Sequence, residues 1–491
     1  MKKMLLATGA VGTAILSAGG AYYAVTQTAE SQAKAAVERF QASLPEGATI
    51  SYSAMEVDAA RQGVTLSDLE IALPNDDRLK AASLFLGGVA TDSAGAPETI
   101  AALEATELTI DHDGSNVMLA KAEISDLDVN SLEAIRAGAP DAFPALGEAK
   151  LTGFVVSETN GAELLASAVY IHDLGDLKAD VINVWDLEII VPHRGDVIEP
   201  VFMQNNVVTS PVAPDLLPKR FRLDEGSFKD IDFGALRALQ ESDDPARLVD
   251  ALIEDKLPKI TVTGMEIHED DAQSFGAELL LFDVTSARPG GFDLIAELRG
   301  ASIKTEHPRL ADLRRQVPDM DQMGFSFRTA QSYLPGEQQF DIRDFSFSVD
   351  KLLAFKTQIS IGGVPDLKTA GEIEQIRDPR LQAMTLSGWS FEITDKGVLD
   401  RAAAKRAEMT RAPDAAAARA RMAQDLRRDI QRRGKPDQYG VLADFIEQGG
   451  TLRVTAELEQ PLPLVEMIFM GMLDRASMAE RLDLRFSLSG N

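Results

Sequence analysis

The chain contains no cysteine in 491 residues. Disulfides, thiolate metal sites and cysteine nucleophiles are therefore all excluded. A chain without thiols suits an oxidising compartment, where nothing can be mispaired. Histidine is scarce, at five, and His172, His193 and His307 have no partner at ligand spacing. Positive charge is scarce too: 49 Lys and Arg stand against 77 Asp and Glu, a net charge of −28. Nucleic acid requires a basic footprint, so it is excluded as a partner. Broad adhesion to anionic headgroups is disfavoured on the same ground. The sequence lacks a nucleophile elbow, a phosphate-binding glycine loop and a zinc motif. We read from it no enzyme, no cofactor and no metal site.

Two stretches resemble ion sites at first sight. "DHDGSN", Asp111 to Asn116, opens like a calcium loop, but its twelfth position is Ala122 where that loop needs Glu. Flanked by "LTI" and "VML", it reads as a hairpin turn with Asp-Gly at its tip. "HEDD", His268 to Asp271, offers oxygen ligands, yet in so acidic a chain it reads first as an acidic loop.

The bulk composition, 45% hydrophobic and 26% charged, is that of a folded protein. There is one long apolar run, Met4 to Val25, preceded by Lys2-Lys3 and followed by Glu30. A bilayer-crossing helix needs about 20 such residues. The flanking lysines place its N-terminus in the cytoplasm, and Tyr22 and Tyr23 sit where an interfacial belt would lie. The competing reading is a cleaved signal peptide, with Gly19-Gly20-Ala21 before the cut. The run is long for that, which favours a retained anchor. Either way the bulk of the chain is exported, so we expect a single-pass inner-membrane protein with a periplasmic body.

Four regions follow: residues 1–28 as anchor or signal, 29–46 as a juxtamembrane helix, 47–395 as a β-rich region with a division near 234–258, and 396–491 as a basic helical and α+β part. Ala33, Val37, Phe40 and Leu44 give the helix its spacing. Helical interruptions are expected at Ser131 to Ala137, Gly234 to Asp255 and Pro308 to Met323. Beyond Val398, an Ala- and Arg-rich pair of helices divided by Pro413 ends at Gly434-Lys435-Pro436. A helix from Tyr439, a strand from Thr451, an apolar helix from Pro463 and a last strand, Leu482 to Leu488, complete it. The arginines of the pair offer a surface for anionic headgroups, or else pair with the acidic β region.

Within the β-rich region one octet recurs. Its first, third, sixth and eighth places are apolar and its fifth is Asp or Gly. Strict copies begin at Val64 (VTLSDLEI), Ala122, Ile260, Ala296, Phe340 and Met384; near copies begin at Leu103, Ala149, Ile182 and Gly226. A plain strand repeats every second residue, so the alternation changes phase in mid-octet. A β-bulge does this, and Gly or Asp tolerates the positive φ that some bulges need. We therefore expect bulges at Asp68, Asp126, Asp186, Gly264, Asp344 and Gly388. The fold class is mainly β with helical additions (α+β): a curved, bulged antiparallel sheet of recurring short strands, with a C-terminal α+β cap and an N-terminal transmembrane helix. The apolar places Leu66, Leu69, Ile124, Leu127, Val262, Met265, Ile342 and Phe345 are the candidate lining of an apolar groove. A packed β-sandwich leaves the same alternation, and then the protein is a scaffold.

The anchor with its "GAYYAV", the helix after it and "ISYSAMEVDAARQGVTLSDLEI" resemble the start of the YdgA-like and AsmA-like proteins. The resemblance covers about the first seventy residues. It implies a Gram-negative inner-membrane protein with a large β-rich periplasmic part. In the AsmA-like case it implies a link to outer-membrane assembly or lipid movement. The expected partners are thus the membrane through the N-terminal helix, lipid, and envelope proteins. The resemblance supplies no catalytic residue.

Overall fold

A computed structural model describes residues 47–490 except 74–76, 92–96, 113, 137–142, 192–219, 242–244, 270–271, 286–289, 305–319, 368–377, 433–436, 457, 459 and 468–480. The expected membrane span, the juxtamembrane helix, His193, His307 and most of Pro308 to Met323 lie outside the described residues. Among those described, no helix is long and apolar enough to cross a membrane. The architecture is mainly antiparallel β, as the alternation requires. It falls into two compact units: the first runs to Glu241 and adds Leu257–Gln273, and the second comprises Ser242–Lys256 and Ser274 onward.

In the first unit, β1 (Thr49–Ser51) and β2 (Ala54–Asp58) pair with β3 (Gly63–Ala72). From β3 a meander runs through β4 (Arg78–Thr91), β5 (Pro97–His112), β6 (Ser115–Asp128), β7 (Leu146–Glu158), β8 (Glu163–Gly175), β9 (Lys178–Ile190), β10 (Arg220–Asp232) and β11 (Lys259–Glu269), each strand pairing with the next. The helices α1 (Val129–Arg136) and α2 (Phe233–Gln240) interrupt it within this unit. The core gathers Leu66, Leu69, Leu84, Leu103, Leu119 and Leu127, and α1 adds Val129 and Leu132. Asp232 caps α2 by accepting from Ala235 N, and Phe233 stacks on Phe143 with centroids 5.0 Å apart.

The octets explain this sheet. Asp68, Glu107, Gly153, Asp186 and Gly264, on alternate strands β3 to β11, all have φ between 48° and 61°. They lie on one line across the sheet, because the register on either side of each is continuous: Ser67 faces Ser83 and Leu69 faces Ala81, so Asp68 faces Ala82. The intervening strands supply Ala82, Ala120, Ser167 and Asp224. A second line uses the other strands, with Gly88, Asp126, Asp173 and Asp230 at positive φ facing Ala101, Gly147 and Asp180. On β4 to β10 the two lines stand six residues apart, as at Ala82 and Gly88.

This corrects the two-against-one bulge expected here. No extra residue is inserted; both partners change phase together, so each line is a crease through every strand it crosses. At the crease two neighbouring residues face outward, and the apolar set resumes on the inner face beyond it. Five of the seven facing residues are Ala, Ser or Gly, because the backbones and side chains approach closely at the crease; Asp224 and Asp180 are the exceptions. A Cβ on Gly153 would come within 2.8 Å of Ala120 Cβ, and one on Gly88 within 2.6 Å of Ala101 Cβ.

In the second unit β12 (Ala272–Thr285), β13 (Phe292–Lys304), β14 (Gln322–Leu334), β15 (Gln339–Val349), β16 (Leu353–Gly362), β17 (Thr385–Asp395), β18 (Thr451–Ala456) and β20 (Leu484–Ser489) pair in that order, and the short β19 (Leu462–Pro463) pairs with β17. Its helices include α3 (Pro245–Ile253), α4 (Pro379–Ala383), α5 (Val398–Thr410), α6 (Ala415–Arg432) and α7 (Gly440–Gln448). Here the octets behave as expected bulges. Register shifts put Arg343 and Asp344 against a single residue of β16, and a shift beside Ser387 does the same in β17. Neither Asp344 nor Gly388 has a positive φ, unlike Gly300 at 60°. Helix α7 covers one end of the sheet with Phe445, which packs with Leu452, Val454, Phe391 and Phe486.

Candidate functional site

The eight candidate groove residues divide between the units. Leu66, Leu69 and Leu127 are buried in one core cluster, with the half-buried Ile124 against it. Val262 is buried and Met265 half-buried on β11. These six belong to the first unit; Ile342 and Phe345 belong to the second and are half-buried. Alternation put all eight on apolar faces, but three of them are under 5% exposed. Those three are core side chains, whereas Ile342 and Phe345 of the second unit keep part of their surface exposed.

There the bulge at Arg343 sets the geometry. Phe340 and Ile342 before it and Phe345 and Phe347 after it share one face, since Ile342 opposes Gln331 while Phe345 opposes Thr329. On that face lies a ladder of rings. Phe327 meets Phe345 edge-on at 5.3 Å, Phe345 meets Phe355 at 5.4 Å, Phe355 meets Phe391 at 5.8 Å and Phe391 stacks on Trp389 at 6.4 Å. Such separations are the favourable ones for aromatic pairs. Every member remains half-buried, neither fully packed nor free. Polar groups nearby are tied within the sheet: Gln331 Nε2 donates to Thr329 Oγ1 and Thr357 Oγ1 donates to Ser390 O. Buried Tyr333 donates to Pro365 O at 3.1 Å, and burial, with Asp366 nearby, pushes its phenol pKa up.

The opposite face is polar and concave. One hollow of about 340 Å³ is floored by Ser326, Ser346, Ser348 and Ala354 and rimmed by Glu297, Arg328, Lys356 and Glu392. Its charges neutralise each other: Arg328 reaches Glu297 at 2.8 Å and Asp344 at 3.4 Å, and Lys356 reaches Asp344 at 3.4 Å. Paired charges of both signs leave no net field to select a ligand.

The histidines hold local partners. His112 Nδ1 lies 2.7 Å from Asp77 Oδ2 and His268 Nε2 lies 3.0 Å from Glu266 Oε2. Asp111 to Asn116 closes the β5–β6 hairpin, with His112 paired to Ser115. "HEDD" begins as the end of β11, its last two residues lying outside the described ones. The crease brings together a group that spacing could not show: His172, Asp173 and Asp180 offer donor atoms within 4.8 Å of one another. Asp173 faces Asp180 across β8 and β9. Both carboxylates are exposed.

A family model described only as an uncharacterised protein matches residues 346–488, from within β15 to within β20. The matched stretch includes Phe355, Trp389 and Phe391 and leaves Phe327 and Phe345 outside. No curated protein matches the chain.

Proposed function

We propose that the chain is a non-enzymatic cell-envelope protein whose second unit binds the acyl part of a lipid-like ligand on its aromatic face. Met4 to Val25 anchors it in the inner membrane and the β-rich body is periplasmic. The observation that carries the ligand reading is the five-ring ladder from Phe327 to Trp389, half-buried throughout. Rings in continuous contact offer an apolar strip with no polar group demanding a partner, which suits a chain of methylenes. The runner-up reading is a scaffold that recruits envelope proteins. It is favoured by the packed core around Leu66, Leu69 and Leu127 in the first unit.

The test is native mass spectrometry of gently extracted protein, which should show co-purifying lipid. The double substitution Phe345→Asp, Phe355→Asp should abolish it. A second measurement guards against a folding defect. With Trp185 changed to Phe, Trp389 is the single tryptophan, and brominated fatty acid should quench it. Lipid-free protein with an unquenched Trp389 would overturn the ligand reading in favour of the scaffold.

A further inference from the structure

The Ala- and Arg-rich stretch forms a helical hairpin, α5 and α6, closed by Arg411 in the left-handed region at φ 55°. From Val398 to Arg432 it carries nine basic and five acidic side chains. The rest of the chain carries 40 basic and 72 acidic ones, so the sign of charge reverses locally. The basic residues divide by role. Arg419 donates to Ile446 O and pairs with Asp395 and Asp400. Arg427 pairs with Asp444 and Glu447 of α7. These two hold the hairpin in place.

Three of the others lie on the outer side of α6. Ala418 and Ala423 form the buried side of α6, while Arg421, Arg428 and Arg432 are exposed on the far side. At 3.6 residues per turn their spacing puts all three within about 40° of one another around the helix. Among the described residues, only a loose contact, Arg428 to Asp425 at 3.8 Å, engages any of them. Arg421 and Arg432, like Lys405, Arg406 and Arg411 on α5 and the turn, have no ionic partner among the described residues. Met409 beside them is 72% exposed, the most exposed of the large apolar side chains among the described residues.

We propose that this hairpin, through the α6 stripe, docks on an anionic lipid surface. Arginines match phosphate geometry, and cations with an exposed apolar side chain are the ordinary composition of an interfacial helix. The whole molecule at −28 is repelled by such a surface, and a second copy is repelled equally. A tether removes that barrier for the membrane alone by raising the local concentration. In this respect the inference rests on the anchor proposed above.

The absence of cysteine makes the test direct. Gln424, exposed between Arg421 and Arg428, is changed to Cys in the full chain and labelled with an environment-sensitive dye. Excess vesicles of phosphatidylglycerol and phosphatidylcholine, or of phosphatidylcholine alone, are then added. The dye should shift with the anionic vesicles only, and the shift should vanish in high salt. Replacing Arg421, Arg428 and Arg432 by Gln should weaken it by roughly tenfold to a hundredfold. A silent dye, an equal response to neutral vesicles, or an unchanged response in the triple variant would overturn the proposal. So would a shift that follows protein concentration without vesicles, which would assign the stripe to a second copy. Flotation with neutral vesicles reports the anchor separately, so the two readings fail independently.

Discussion

Single residues at the creases bear conformations that most side chains avoid. Gly264 sits at φ 61° with Asp224 opposite, and an added Cβ would fall 1.9 Å from Asp224 Oδ2. Gly264→Val is therefore expected to destabilise by roughly 1–3 kcal/mol, from strain and overlap together. Gly388 occupies the equivalent place in its octet but differs physically. Its φ is not positive and nothing lies within 4 Å of an added Cβ, so Gly388→Val should change stability by less than about 0.5 kcal/mol. Glu107 is the reverse case, an ordinary side chain held at φ 49°. Glu107→Gly should stabilise, by up to about 1 kcal/mol net of chain entropy. Urea denaturation of the three variants separates these outcomes. Equal losses at Gly264 and Gly388 would show that the conformation at the fifth place is not what matters.

At the scale of the element, Arg419 shows how the hairpin is fixed to the sheet. Its side chain is 15% exposed and its partner Asp395 only 7%. Asp395 Oδ1 also accepts from Gly397 N and Leu399 N, so the same carboxylate starts α5. Arg419→Ala leaves that carboxylate buried without its cation, and should cost roughly 2–4 kcal/mol. Arg421→Ala, two positions along and exposed, should cost almost nothing. Chemical denaturation followed by helical signal checks both. Much at this scale was legible in the sequence. Pro413 separated α5 from α6, and the octets marked ten of the twelve described strands where a left-handed residue or a true bulge breaks the alternation. Gly88 and Asp173 escaped because a hairpin or a non-apolar residue arrives before the eighth place is filled. Whether a phase change is a crease or a bulge depends on the neighbouring strand, which no octet contains. The same limit governs the site: alternation marked Leu66 and Phe345 alike as inward, whereas what packs over each is decided by non-local chain.

For the molecule as a whole, acidity and location are the two levers. The creases of the first unit align carboxylates, Asp68, Glu107, Asp186 and Asp224 on one line and Asp126, Asp173, Asp180 and Asp230 on the other, all exposed. Like charges in rows repel, and raising salt from about 10 mM to about 150 mM shortens the screening length from about 30 Å to about 8 Å. The melting temperature should therefore rise over that range, and a flat or falling curve would mean that the rows are already neutralised by bound cations. Location is tested by a periplasm-dependent reporter fused after Asn491. With Met4 to Val25 as a retained anchor, the fusion should be active and should sediment with membranes after a carbonate wash. The apolar length and the two preceding lysines motivate this expectation. A soluble active product whose first residue lies near Tyr22 would establish cleavage instead. The hairpin would then lose its tether, and binding of anionic vesicles by the mature chain would have to overcome the full repulsion of an acidic molecule unaided.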